Sequence, residues 1–298
     1  MNPKVNILVA TYNGEKYLRE LLDSLLLQNY PNLSIYILDD GSGDNTKEII
    51  FQYIHKGIHI IENNKNLGYP FSFYKLIEKC DKADYYCLCD QDDVWYADKV
   101  KNAVDILEQK DNTIPQLCFS AFEYCDENLN FLRNSDKPPE KISFDKTFFQ
   151  CYMWGFTTVF NNKFRERFIR RFPVKTKDED YWFQMMAVAF GEINYCPKVS
   201  AKHRRHGKNH SQDPTSFLKF QLWRIKYFLF QNQFSVYHRM LKEFYEYYRN
   251  DLKEEHKKSL ELFQADGSSL KKVSYKHRLR SNWHDEILLR IAFFFRFL

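Results

Sequence analysis

The chain has 298 residues, 44% hydrophobic and 28% charged, with only 9 Gly and 9 Pro and a net charge of +5. That composition is globular, long enough for one large α/β domain with an appendage, and it excludes a disordered or fibrous chain. The charge is uneven: residues 201–298 hold 20 Lys and Arg against 10 Asp and Glu, so any basic partner surface is C-terminal.

"KVNILVA" predicts a first strand and not a signal peptide, because no cationic start and long apolar stretch precede a small-residue cleavage site. It ends in "TYNGE", and the leucines of "YLRELLDSLLLQ" then recur at helical spacing before "SIYILDD" gives a second strand. A strand, a helix and a strand within about 40 residues make a βαβ unit with parallel strands. "DNTKEIIFQYIHKG" predicts a helix capped by Asp44 or Asn45, "IHIIEN" a third strand, "NKNLGYPFSFYKLIEKCDKA" a loop and helix, and "DYYCLCD" a fourth strand. The repeat implies an open, doubly wound sheet, in which ligands lie beyond the carboxyl ends of the strands.

Three of those ends carry polar clusters: "TYNG" at 11–14, "DDGS" at 39–42 and "DQDD" at 90–93. The last is the sharpest. Asp90, Asp92 and Asp93 would repel one another beside a buried strand unless a cation sits among them, and a divalent metal is the natural candidate. A solvated acidic turn is the alternative, with Asp92 or Asp93 as N-cap of a helix in "WYADKVKNAVDIL". Three clusters on one edge favour a shared site.

Beyond residue 115 come "LCFSAFEYCD", a basic loop "NSDKPPEKIS", the aromatic stretch "QCYMWGFTTVFN" and a helix in "KTKDEDYWFQMMAVAFG". From about 213 the chain turns helical, aromatic and basic, which sets a boundary between 1–212 and 213–298. "SFLKFQLWRIKYFLF" and "EILLRIAFFFRFL" interleave aromatic and cationic residues as interfacial helices do, although helices packed on the first domain would read alike. No apolar run reaches the roughly 18 residues of a membrane span. Seven cysteines without C-x-x-C spacing imply reduced core thiols and hence a cytoplasmic protein, with peripheral attachment to the inner face of the plasma membrane as the corollary of an interfacial tail.

The ordered set "ILVATYNGEKYLRELLDSLLLQNYPN", "IYILDDGSGDNTKEII", "NLGY", "DQDDVWYADKV", "GFTTVFN", "EDYWF" and "HRRHGKN" resembles family 2 glycosyltransferases of the GT-A fold across residues 4–211. "DQDDVW" is similar to the wording of a bacterial rhamnosyltransferase branch that uses dTDP-rhamnose. The resemblance implies a doubly wound, mostly parallel α/β sheet with a C-terminal helical extension. It further implies that Thr11, Tyr12, Asp39, Asp40, Asn66, Asp90 and Asp92 bind the nucleotide sugar. "DQDD" looks like the DxD motif, so Asp92 and Asp93, with His206 of "HRRHGKN", are the implied ligands of Mg²⁺ or Mn²⁺. Asp180 of "EDYWF" is the implied base of an inverting displacement, although acidic residues also favour a helix start. This chain has His203 where the family pattern carries tyrosine, and Arg204 and Arg205 are available to clamp phosphate.

The implied partners are a nucleotide-sugar donor, dTDP-rhamnose or a UDP-sugar, and a cell-surface glycan or lipid-linked acceptor. An anionic membrane surface is a further partner, and no recognised nucleic-acid module accompanies the basic tail. Two other functions remain in view: a nucleotidyltransferase, whose Gly-rich basic loop "ATYNGEKY" lacks, and an inactive carbohydrate-binding protein of the same fold.

Overall fold

A computed structural model describes residues 2–175, 179–207, 233–264 and 267–295. It divides into two compact units that interleave along the chain. The first comprises Met1–Lys137, Met153–Phe172 and Gly191–Lys208; the second comprises Pro138–Tyr152, Pro173–Phe190 and Asn209–Leu298. A boundary at 212 follows the chain, whereas the two units exchange segments before it.

The first unit is built on one nine-stranded sheet. Its strands are β1 (Val5–Thr11), β2 (Leu33–Asp39), β3 (Ile58–Ile60), β4 (Tyr85–Cys89), β5 (Val94–Trp95), β6 (Gln116–Cys125), β7 (Phe131–Asn134), β8 (Val159–Asn161) and β9 (Glu192–Arg204). Helices α1 (Leu18–Leu26), α2 (Thr46–Tyr53), α3 (Phe71–Lys79), α4 (Lys99–Leu107) and α5 (Asn162–Ile169) connect them. The order is β3-β2-β1-β4-β8-β6-β9-β5, with β7 beside β6.

The first four strands are parallel, as their helical crossovers require. Past β4 the sheet is mixed, because β8 lies antiparallel to both β4 and β6 before β6 and β9 run parallel again. In β1, Val5, Ile7, Leu8 and Val9 are all buried, since helices cover both faces of such a sheet. On α1, Leu18, Leu21, Leu22 and Leu25 form the buried stripe, each contributing about 2 kcal/mol by burial.

Register places the polar clusters on one edge. Thr11 pairs with Asp39, and Val9 pairs with Cys89, so the loops after β1, β2 and β4 leave the sheet side by side. None of the seven cysteines is in a disulfide; six are buried and Cys151 is half-buried. Burial pushes the Cys87 thiol up to about 12.

The second unit is helical. Its helices are Glu179–Phe190, Gln233–Tyr248, Glu254–Phe263, Ser269–Val273 and Trp283–Phe294. Phe149 meets Phe263 and Phe293 with ring centroids 5.5 and 5.6 Å apart, and Trp182 meets Phe244 at 5.0 Å. Much of the aromatic excess is therefore core. Gln184 binds the 147–150 turn, donating to the Gln150 carbonyl at 2.7 Å, which ties that segment into this unit. The last helix buries Leu289 and Phe293 and exposes Trp283, Ile287, Ile291 and Phe294 along another face. "SFLKFQLWRIKYFLF" lies outside the described residues. Among those described, no helix is long and apolar enough to cross a membrane.

Candidate active site

The loops after β1 and β2 are sewn together by side chains. The Asn13 N–H donates to Ser42 Oγ at 2.9 Å, the Gly14 N–H to Thr46 Oγ1 at 2.8 Å, and the Gly43 N–H to Asn13 Oδ1 at 2.9 Å. Asp39 accepts from the Gly41 and Ser42 amides at 3.2 and 3.1 Å and from the Ser42 hydroxyl. That is an Asx-type turn, and Gly41 occupies its left-handed position at φ 88°.

Asp40 is buried, and its carboxylate receives Asn63 Nδ2 and the Leu67 N–H at 2.7 Å and the Gly68 N–H at 2.6 Å. Its position thus fixes the 63–68 loop, which carries exposed Asn66 alongside Gly41. Thr11 is buried with its hydroxyl on Asp39 at 3.3 Å, while Tyr12 is 49% exposed. Of the expected nucleotide contacts, Tyr12 and Asn66 present open surface, and both aspartates hold loops.

The acidic cluster does not cap a helix. α4 begins at Lys99, and between it and Asp93 lies β5, paired antiparallel with β9 through Val94–Lys202 and Trp95–Ala201. This register brings 203–206 against 91–93. The three aspartates then part company. Asp92 Oδ2 lies 2.8 Å from His206 Nε2 near the surface. Asp93 is fully buried and turned inward, its Oδ1 2.9 Å from His203 Nδ1 and accepting from the Arg204 N–H at 3.3 Å. Asp90 is half-buried, and burial, with Asp93 and Asp92 adding repulsion, pushes its carboxyl up to about 8. Burial disfavours a charged His203, but the neighbouring Asp93 outweighs it and raises the imidazole above its usual range.

Among the described residues no group of three or more His, Cys, Asp or Glu side chains is set to hold a metal ion by itself. The Asp92–His206 pair nevertheless suits two adjacent positions on one. Donors about 2.1 Å from an octahedral ion stand about 3 Å apart, close to the 2.8 Å seen. Waters and diphosphate oxygens are the usual remainder for Mg²⁺ or Mn²⁺. Asp93, the other expected ligand, meets His203 through Oδ1, and its Oδ2 is buried with no partner among the described residues.

Arg204, expected as a phosphate clamp, is spent within the protein. Its Nε donates to the Asp92 carbonyl at 3.1 Å, its Nη1 to the Glu127 carbonyl at 2.6 Å and its Nη2 to Glu20, and it lies 4.5 Å over the Tyr17 ring. Tyr17 also stacks on His206 at 5.1 Å.

Sequence reasoning missed Gln91 and Lys99. Gln91 accepts from the Tyr12 N–H at 2.8 Å and donates to the Tyr12 carbonyl at 2.9 Å, latching the β1 loop to the β4 loop. A Cβ on Gly14 would sit 2.3 Å from Gln91 Oε1, so a side chain there would displace the Gln91 carboxamide from Tyr12. Lys99 is buried with its ammonium 3.4 Å from the Trp95 ring centroid and hydrogen-bonded to the Phe156 carbonyl. Burial lowers its pKa to about 8, against the pull of nearby Cys89, Cys87, Asp93 and Asp90. A lysine seven residues after the last aspartate of the first "DQD" was the available signal. Asp180 belongs to the second unit, in the first turn of Glu179–Phe190.

The family model described as Glycosyl transferase family 2 matches residues 6–176. A dTDP-rhamnosyl transferase, RfbG of Shigella flexneri, is 46% identical over 105 residues, 33% of this chain and 36% of that protein. An uncharacterised glycosyltransferase of Rickettsia felis is 28% identical over 220 residues, covering 70% of this chain and 35% of its own length. The chain thus matches about a third of the length of each. Among solved structures, S. aureus TarS 1-349 in complex with UDP-GlcNAc superposes with a TM-score of 0.63 at 18% identity, over 99% of this chain and 80% of that one. The mannosyltransferase PcManGT from Pyrobaculum calidifontis, in complex with GDP-Man and Mn²⁺, gives 0.55 at 16% identity, over 100% of this chain and 86% of that one. These likenesses show the GT-A fold, and with the family model spanning more than half of the sequence, from β1 past α5, the chain belongs to glycosyl transferase family 2.

Proposed function

We propose that the chain is an inverting, metal-dependent glycosyltransferase that moves a sugar, rhamnose from dTDP-rhamnose as the leading assignment, onto a growing cell-surface polysaccharide or lipid-linked glycan. The observation that carries this reading is the Asp92–His206 pair, 2.8 Å apart on the sheet edge that also carries the Tyr12 and Asp39–Ser42 loops. The shared stretch with RfbG supports rhamnose, and the Mn²⁺ in PcManGT supports the metal.

In this reading Tyr12 offers its exposed ring to the base, and Thr11, Asp39 and Asp40 hold the loops around base and ribose. Asn66 borders the nucleotide, and Asp90 reaches ribose. Asp92 and His206 would hold Mg²⁺ or Mn²⁺. The ion, when bound, supplies charge stabilisation for the departing diphosphate. Asp180 takes the proton from the attacking acceptor hydroxyl, which lets a single displacement invert the anomeric centre. For the acceptor, the last helix supports a membrane-surface location: Trp283, Ile287, Ile291 and Phe294 lie exposed along one face, following the basic run "KKVSYKHRLR".

Incubation with a panel of nucleotide sugars, with Mn²⁺, Mg²⁺ or chelator, tests the proposal. Release of dTDP from dTDP-rhamnose only with metal is the expected result. Turnover of UDP-sugars instead would move the donor assignment, and full activity in chelator would remove the metal.

A further inference from the structure

We infer that Asp93 is a positioning residue, which fixes the end of β9 so that His206 meets Asp92, and that it does not itself contact metal or diphosphate. The inference rests on the reading of Asp92 and His206 given above and departs from what the DxD wording implied for Asp93.

Two neighbouring aspartates grip the same strand end in alternation. Asp93 holds His203 through Nδ1 and Arg204 through its backbone N–H, while Asp92 meets His206. The fixed end is braced on several sides. The His203 ring stacks on Phe156 at 4.8 Å with planes 12° apart. Arg204 returns to the Asp92 carbonyl, and its guanidinium covers Tyr17, on whose ring His206 also stacks. His206 thus follows directly on a strand end that Asp93 holds.

Burial separates the two aspartates by role. Asp93 is 0% exposed, with Oδ1 on His203 and Oδ2 buried without a partner among the described residues, whereas the Asp92 side chain is 17% exposed and meets His206 through Oδ2. A diphosphate approaching from solvent reaches Asp92 and His206 without disturbing a buried pair. Moving Asp93 outward would forfeit the His203 partner and leave a buried imidazole unmatched. His203 occupies the position at which the family pattern carries tyrosine, so this grip belongs to the chain's own sequence.

The test is calorimetry of dTDP and UDP binding with and without Mn²⁺ for wild type, Asp92→Asn, Asp93→Asn, His203→Gln and the Asp93→Asn/His203→Gln double variant. Asp92→Cys and Asp93→Cys are titrated with Mn²⁺ and with Cd²⁺. If Asp93 acts through His203, each single change reduces the Mn²⁺-dependent gain in nucleotide affinity by about tenfold, the usual scale for groups that orient a ligand. The double variant then loses no more than the worse single one, and metal-free affinity stays at the wild-type value. Asp92→Cys shifts preference toward Cd²⁺, while Asp93→Cys weakens both metals equally. A Cd²⁺ shift in Asp93→Cys, or additive losses in the double variant, would make Asp93 a ligand and overturn the inference. An unchanged Mn²⁺-dependent gain with only a lower Tm would reduce Asp93 to a structural residue and overturn it equally. Should Asp93→Asn not fold, His203→Gln alone must lose the same gain. A wild type with no Mn²⁺-dependent gain would remove the metal reading itself, and the inference with it.

Discussion

Gln91 offers a direct measure of how much the edge loops depend on one another. Its carboxamide makes two hydrogen bonds to Tyr12, at 2.8 and 2.9 Å. Each is worth about 0.5–1.5 kcal/mol net, and the exposed Tyr12 backbone regains water when they are lost, so Gln91→Ala should cost about 1–2 kcal/mol. For a unit of this size that lowers Tm by roughly 2–8 °C. Nucleotide affinity should fall as well, since Tyr12 is tied to nothing else in the β4 loop by its main chain. Gln91→Glu is the sharper perturbation. A carboxylate still accepts from the Tyr12 N–H, but it faces the Tyr12 carbonyl with a lone pair and places a further carboxyl group beside Asp90, Asp92 and Asp93. The loss at pH 7.5 should therefore exceed that of Gln91→Ala. It should shrink as pH falls toward 5, because the folded state raises the new carboxyl's pKa and the protonated group can donate again. Thermal unfolding and nucleotide calorimetry at both pH values provide the assay. A Gln91→Glu protein as stable as wild type at pH 7.5, with unchanged nucleotide affinity, would refute the latch.

Asp180→Asn keeps a side chain able to serve a helix start but removes the proton acceptor. Transfer should fall roughly 10²-fold or more with donor affinity retained, and a lowered Tm with transfer intact would return Asp180 to a helix-end role. Lys99→Met should stabilise the protein at pH 7 by up to about 3 kcal/mol, less the lost Phe156 and Trp95 contacts, because the folded pKa lies near 8 against an ordinary 10.5. Unfolding takes up a proton at Lys99 between about pH 8 and 10.5, so wild-type stability gains on the variant across that window; urea titrations at pH 7 and 9.5 showing no such convergence would contradict it. Ile287→Asp with Ile291→Asp should release the protein from anionic vesicles in a flotation assay, and salt should weaken wild-type binding; equal flotation of both proteins would exclude the last helix as the contact.

The first half of the sheet was legible because local periodicity alone specifies β1, α1, β2 and β4, and parallel crossovers leave little freedom in how they pair. The three polar loops followed from strand ends, which local sequence marks well. What escaped depends on distant pairing. Nothing near Val159 announces that three residues insert antiparallel between β4 and β6. The alternative that made Asp92 or Asp93 a helix cap fails because Val94 and Trp95 found partners in β9, more than 100 residues away, and the helix starts after Asp98. The separate partners of Asp92 and Asp93, His206 and His203, are brought alongside by that same pairing. A glutamine between aspartates carries no signal of its own; its two bonds to the Tyr12 main chain, across 79 residues, appear only in the fold. The helical unit draws in 138–152 and 173–190, whose aromatic residues look alike whichever core they enter.

The cysteines have a practical consequence. Cys80 follows α3, Cys87 and Cys89 lie in β4, Cys118 and Cys125 in β6 and Cys196 in β9, all buried and none bridged, while only Cys151 is partly open to solvent. Thiolate is the reactive species, and burial keeps the β4 thiols protonated well past neutral pH. A native molecule should therefore take up one alkylating label quickly and the others only as its buried elements part. The mass of the labelled chain then becomes a tally of exposed thiols, readable without a dye or an engineered probe, and the peptide that carries each label tells which part of the fold let go first.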